Sequence, residues 1–105
     1  MKYTPDTWVL LKLSSKEHGD VYKILAGWYG GYLSGDSWKL NSGIKKVVDK
    51  EKYWKVMGFS GSEYQCYKNS EKLSGYTSEV LGRFKKQAAG IAEITVVPMK
   101  EYNDS

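Results

Sequence analysis

The sequence has very little of the residues that most often carry out chemistry. It contains one histidine, His18, and one cysteine, Cys66. One cysteine excludes an intrachain disulfide, and one of each is too few for the four nitrogen or sulfur ligands of a structural zinc site. The acidic residues show no calcium-loop spacing. We therefore predict that the protein is not an enzyme and that it holds no metal or cofactor.

His18 and Cys66 each have an ordinary interpretation and a chemical one. His18 lies in a polar stretch before Gly19, which is typical of a solvated surface residue, although a loop histidine also serves as a general base or a metal ligand. Cys66 falls in a predicted strand between Tyr64 and Tyr67, where a cysteine is most often a small buried hydrophobe. A catalytic thiol would require the fold to bring His18 beside it.

Long hydrophobic runs are also missing. The longest apolar run near the N-terminus covers only residues 8–11, whereas a membrane span needs about 20 apolar residues. The first six residues lack the apolar core of a signal peptide, and a lone cysteine is typical of a reducing compartment. We expect a single domain over residues 1–105 that is soluble, cytoplasmic and not associated with a membrane.

Arginine and phenylalanine are scarce, whereas lysine, tyrosine and tryptophan are common. The net charge of +4 includes one arginine, Arg83, and permits an acidic partner. Because arginine is favoured for reading phosphate and guanine, its scarcity speaks against sequence-specific DNA binding. Four Trp and nine Tyr stand against two Phe. Trp and Tyr combine an apolar body with a polar group, so they suit interfaces as well as cores.

Turn signals recur every six to twelve residues, which predicts a meander of short strands. In the first strand, Val9 and Leu11 fall on one face and Trp8 and Leu10 on the other. Glycines within the long second strand, at positions 27, 30 and 31, indicate a bulge or a close backbone approach. The predicted strands cover residues 7–14, 21–33, 38–41, 44–48, 52–59, 63–68 and 91–99.

One helix is predicted, over residues 78–89, with Thr77 as its N-cap. Val80, Leu81, Phe84 and Ala88 recur at three- and four-residue spacing and form one apolar stripe, which we expect to pack on the sheet. The predicted fold class is α+β, a mainly antiparallel β-meander sheet of five to seven strands with one helix packed on it near the C-terminus.

Three segments carry a resemblance to known proteins. They are SWKLNSGI at residues 37–44, GFSGS at 58–62 and SGYTSEVL at 74–81. Together they resemble a group of small, uncharacterised proteins encoded by tailed bacteriophages, over about residues 20–98 of this chain. No activity or catalytic residue is established for that group. The resemblance implies an origin in a phage genome and a location in the bacterial host cytoplasm, and it implies no mechanism. Because small phage proteins often act by binding a host factor, it favours a host or phage protein as the partner.

Interleaved aromatic and basic residues are the strongest indication of function. An aromatic sheet face edged with lysine can stack bases and neutralise phosphates. A surface rich in Tyr and Trp and poor in Arg equally resembles a protein-binding surface. The candidate binding residues are Trp28, Tyr29, Tyr32, Lys45, Lys46, Lys55 and Lys86.

Two functions therefore remain, and the arrangement of these residues separates them. We favour contact with another protein or with a second copy of the chain, because lysine cannot form the bidentate hydrogen bonds that arginine makes with phosphate. Weakly sequence-specific nucleic-acid binding is the alternative. Nucleic-acid binding predicts that the lysines and aromatics share one surface, whereas protein binding predicts exposed aromatics in a patch away from the lysines.

Overall fold

In a computed structural model, which describes residues 1–30 and 35–104, two four-stranded sheets pack face to face and a helix covers the outer face of one of them. The strands are β1 (Lys2–Tyr3), β2 (Thr7–Ser15), β3 (Gly19–Trp28), β4 (Ser37–Leu40), β5 (Ile44–Asp49), β6 (Tyr53–Gly58), β7 (Glu63–Tyr67) and β8 (Glu93–Val97). The helices are α1 (Gly75–Ala88) and α2 (Met99–Asp104), and a short 3-10 turn covers Lys68–Ser70.

Each sheet is built on a three-stranded meander. The first sheet has the order β1-β7-β6-β5 and the second β4-β3-β2-β8, and all pairs are antiparallel except β1 with β7. The predicted α+β class with mainly antiparallel pairing is confirmed. The prediction of one sheet with five to seven strands is wrong, because the described residues form eight strands in two sheets.

The two-faced pattern of β2 explains the layered arrangement. Trp8 and Leu10 face the first sheet, where they join a core cluster that includes Val56 of β6. Val9 and Leu11 face the opposite way and pack against α1. Since apolar side chains on both faces must be buried, β2 lies in the middle layer, between the first sheet and the helix.

The chain passes from the second sheet to the first at Asn41. This side chain is only 4% exposed, and its Oδ1 accepts hydrogen bonds from the backbone N–H of Ile24 at 2.8 Å and of Gly43 at 3.3 Å. The amide thereby satisfies backbone donors at the point where strand pairing ends. Gly43 has φ = 121°, a conformation that favours glycine.

Helix α1 begins earlier than the sequence predicts. Ser74 is the N-cap: its Oγ accepts from the N–H of Thr77 at 3.0 Å, and Thr77 Oγ1 accepts from the N–H of Ser74 at 2.8 Å. This reciprocal pair is a capping box in which threonine replaces the usual Glu or Gln. The prediction of Thr77 as N-cap is wrong, whereas the apolar stripe through Val80 and Leu81 does pack on the second sheet.

The second and last predicted strands are both shorter than expected. Strand β3 ends at Trp28, and the predicted continuation through residues 31–33 lies outside the described residues. Gly27 confirms a close approach, because a Cβ there would lie 2.6 Å from Thr77 Cγ2. After β8, Met99 begins α2 instead of extending the strand, and Glu71 Oε2 accepts from its N–H at 2.8 Å. That contact joins residues 28 apart, so local sequence patterns do not reveal it.

Candidate interaction surface

The structure does not bring the predicted basic residues onto one surface. Lys46 and Lys55 lie on the outer face of the first sheet, and Lys45 is exposed beside them at a β-bulge. Lys86 lies on α1, which packs against the far side of the second sheet. Both sheets therefore separate Lys86 from Lys55.

The predicted aromatic residues lie at the end of β3, away from those lysines. Trp28 is partly buried, its ring meets Tyr3 edge-on at 6.1 Å, and its Nε1 donates to the Thr4 carbonyl at 3.1 Å. Tyr29 is 56% exposed, and its backbone N–H donates to Asp6. Tyr32 lies outside the described residues. Trp28 therefore packs at the edge of the core. Of these two residues, Tyr29 is the one whose side chain is largely exposed to solvent.

The exposed aromatic side chains lie in more than one place. Trp38, on β4, is 39% exposed and meets Phe84 of α1 edge to face at 5.2 Å. Phe59 is 69% exposed in the turn between β6 and β7, in the other sheet. Among the described residues, Trp38 and Phe59 therefore do not form the single aromatic patch that protein binding predicted.

The outer face of the first sheet is not covered by a helix in the described residues. On β6, Trp54 and Val56 point into the core and are buried, while Tyr53, Lys55 and Met57 point outward and are half-exposed. Neither helix packs on this side in the described part of the chain. We call it the open face; its residues, by strand register, are Lys46, Val48, Tyr53, Lys55, Met57, Glu63, Gln65 and Tyr67.

A fixed aromatic pair occupies one end of the open face. Tyr53 and Tyr67 lie directly opposite each other on β6 and β7, with ring centroids 5.5 Å apart and planes inclined at 52°. Gln65 Nε2 donates to the Tyr67 hydroxyl at 2.9 Å. Cross-strand packing and this hydrogen bond hold both rings in place, which reduces their side-chain freedom.

Charged residues occupy the other end of the open face, and most are paired. Glu63 lies 3.4 Å from Lys2 and 3.7 Å from Lys55. Among the described residues Lys45 and Lys46 have no ion pair. Because a carboxylate already neutralises Lys55, the open face is a mixed-charge surface and not a continuous basic one.

A separate ion pair lies at the end of β5. Lys68 Nζ lies 2.7 Å from Asp49 Oδ1 and 4.4 Å from the centre of the Trp54 ring. The hydrogen bond from Lys68, together with the backbone N–H of Glu51, holds the pKa of Asp49 below its ordinary value. Lys68 is thereby held by a carboxylate and an aromatic ring at once.

His18 and Cys66 lie far apart in the architecture. His18 is in the exposed turn between β2 and β3, with its side chain 76% exposed beside Glu17. Cys66 is fully buried on the inner face of β7, where burial raises the pKa of its thiol strongly. In residues 1–30 and 35–104, no group of three or more His, Cys, Asp or Glu side chains is arranged to hold a metal ion.

Sequence patterns indicated the open face only in part. The alternation of aromatic and polar residues through β7 is visible in the sequence, and the alternating faces of a strand place Gln65 and Tyr67 on one side. The contribution of Tyr53 and Lys55 was not visible, because it depends on the register between β6 and β7. Residues directly opposite across two strands have no fixed spacing in sequence.

Comparison with known proteins gives no relative from which a function could be inferred: no family model, no curated protein and no solved structure matches the chain. In the described residues there is no helix of the length and apolar character required to cross a membrane.

Proposed function

We propose that this is a small, soluble, non-catalytic binding protein that contacts another protein through the open face. The observation that carries the proposal is the Tyr53–Tyr67 pair, oriented by Gln65 and adjoining Met57 on an uncovered sheet. Tyr and Met are enriched in protein interfaces, and preordered aromatic side chains dominate their binding energy. The paired charges around Glu63 would form the polar rim of such an interface.

The resemblance to phage proteins adds a setting to this proposal. It supports a phage-encoded protein in the cytoplasm of a bacterial host, with a host or phage protein as the partner. A second copy of the chain is the other partner that the proposed function allows. An interface of this kind requires no catalytic group, which agrees with the burial of Cys66 and the exposure of His18.

Nucleic-acid binding is the second candidate, and one arrangement favours it. Lys46 and Lys55 share the open face with Tyr53 and Tyr67, so stacking rings and cationic groups lie side by side. Base stacking on such rings contributes roughly 1–3 kcal/mol per base. The pairing of Lys55 with Glu63 weighs against this candidate, since a phosphate would have to displace that carboxylate.

A pull-down from bacterial lysate, with and without nuclease, tests the proposal. The matched variants are Tyr67→Ala on the open face and Tyr29→Ala at the end of β3, both of which remove a partly or largely exposed ring. We expect the unmodified chain and Tyr29→Ala to retain the same nuclease-resistant protein and Tyr67→Ala to lose it. Thermal unfolding of each variant confirms that it is folded.

Two outcomes would contradict the proposal. Recovery of nuclease-sensitive material alone would assign the open face to nucleic acid. The logarithm of its binding constant should then fall linearly with the logarithm of the salt concentration. Loss of the protein partner in Tyr29→Ala but not in Tyr67→Ala would move the interface to the end of β3.

A further inference from the structure

The four strand edges of the two sheets differ in how they are protected against pairing. Strand β5 carries exposed Lys45 and Lys46 and a bulge, β1 has two residues, and β4 has four, including Lys39. These features discourage the addition of another strand. Strand β8, Glu93–Val97, has no lysine, proline or bulge. In residues 1–30 and 35–104 it pairs in unbroken register with β2 and has no strand on its other side.

Exposed apolar side chains lie on this unprotected edge and near it. Val96 is 44% exposed on β8 and Ile91 is 74% exposed just before it, while Val21, 36% exposed, lies two strands away on β3. Helix α1 ends at Ala88 and leaves the end of the β2–β3 hairpin uncovered. A groove of about 1090 Å³ results, with Leu13, Val21, Ile91 and Ala92 among its lining residues.

The unprotected edge carries little charge, unlike the whole chain. Glu93 is the one charged residue of β8, in a protein whose net charge is +4. In a two-fold symmetric contact each surface meets its own copy. When two copies of β8 pair antiparallel about the middle of the strand, Glu93 lies opposite Val97 and not opposite a second Glu93, so no like charges face each other.

We propose that this end of the second sheet binds a second copy of the chain, with β8 pairing antiparallel to β8 of that copy across a two-fold axis near Thr95. The two four-stranded sheets then form one continuous eight-stranded sheet. In this register Ile94 lies opposite Val96 of the second copy, a favourable β-branched pair. The proposal goes beyond the proposed function, because the open face belongs to the other sheet and stays uncovered in the dimer.

Light scattering on the full chain over a range of concentrations tests this. We expect a species of twice 11.9 kDa that dissociates on dilution. Thr95→Lys places two lysines directly opposite each other at the axis and should raise the dissociation constant about tenfold or more. Thr95→Val, which removes the hydroxyl but adds no charge, is the matched control and should dimerise like the unmodified chain.

A cysteine at the axis provides an independent measurement. Opposite Cα atoms in an antiparallel pair lie roughly 4.5–5.5 Å apart, within the range that a disulfide spans. Thr95→Cys should therefore form a covalent dimer on oxidation, whereas the buried Cys66 of the unmodified chain should not.

Several results would overturn the proposal. A monomer at every concentration would do so, as would a dimer that Thr95→Lys and Thr95→Val weaken equally. The test is separable from that of the open face: Tyr67→Ala should remain dimeric, and Thr95→Lys should still capture the nuclease-resistant partner.

Discussion

Adding one methyl group at Gly27 should separate α1 from the second sheet. A Cβ at this position would lie 2.6 Å from Thr77 Cγ2 and 3.0 Å from Thr7 Oγ1, both closer than van der Waals contact allows. Thr7 and Thr77 are 1% and 2% exposed, so neither can turn into solvent. Thr77 is also fixed by its capping-box bonds to Ser74. Relief therefore requires the helix or the strand to move.

The expected cost of Gly27→Ala is about 1–3 kcal/mol, the usual range for overpacking a dense core. For a domain near 100 residues, each kcal/mol lowers the melting temperature by roughly 4–8 °C. Thermal and urea unfolding monitored by circular dichroism would measure both quantities. An unchanged denaturant slope would show that the loss is one of stability and not a change in the unfolded state.

A second substitution shows whether the clash with Thr77 is the cause. Thr77→Ser deletes Cγ2 but keeps the hydroxyl of the capping box, and alone it should cost about 1 kcal/mol for the lost buried methyl. In the double variant the serine leaves room for the new methyl, so we expect it to be at least about 1 kcal/mol more stable than additivity predicts. Strict additivity, or a Gly27→Ala protein as stable as the original, would refute the argument.

Three further predictions concern single residues. Glu51 has φ = 72°, a left-handed conformation that costs an L-residue about 1–2 kcal/mol, so Glu51→Gly should raise the unfolding free energy by about 0.5–1 kcal/mol, and Glu51→Ala should not. Because the pKa of Asp49 is lowered in the folded state, the resulting stability is present above its ordinary pKa of 3.8 and is lost as pH falls below it. Asp49→Asn should therefore flatten the acid side of a urea-midpoint profile, and a profile as steep as before would contradict the role of Lys68. Burial raises the pKa of Tyr64 from 10.0 to about 12, so its contribution to stability is present below pH 10 and is lost as pH rises through 12; Tyr64→Phe should flatten that alkaline loss in the same assay.

The local sequence indicated most of the strands, the long helix and the faces of some of these elements. The alternation in β2 predicted two apolar faces, and both are buried, by the first sheet on one side and by α1 on the other. The stripe on α1 likewise predicted which side of the helix packs. These features follow from the fixed periodicities of strands and helices, which neighbouring residues reveal by themselves.

Tertiary structure alone decided how the elements combine. Where the chain changes sheet, Asn41 accepts hydrogen bonds from the backbone N–H groups of Ile24 and Gly43. At the start of α2, Glu71 accepts from the first N–H of a segment 28 residues further along the chain. Neither contact has a signature in the local pattern, so the strand count and the last helix could not be predicted.

The candidate binding residues predicted from the sequence differ from the residues that form the open face, again because tertiary structure decides which residues meet. Lys55 and Lys86 looked equivalent in sequence, but two sheets lie between them. Tyr53 and Tyr67 are 14 positions apart, and they face each other because the hairpin of β6 and β7 sets that register. Composition determined that aromatic and basic groups are plentiful, whereas pairing between distant strands decided which of them meet, since register depends on interactions along the whole strand and not on sequence spacing.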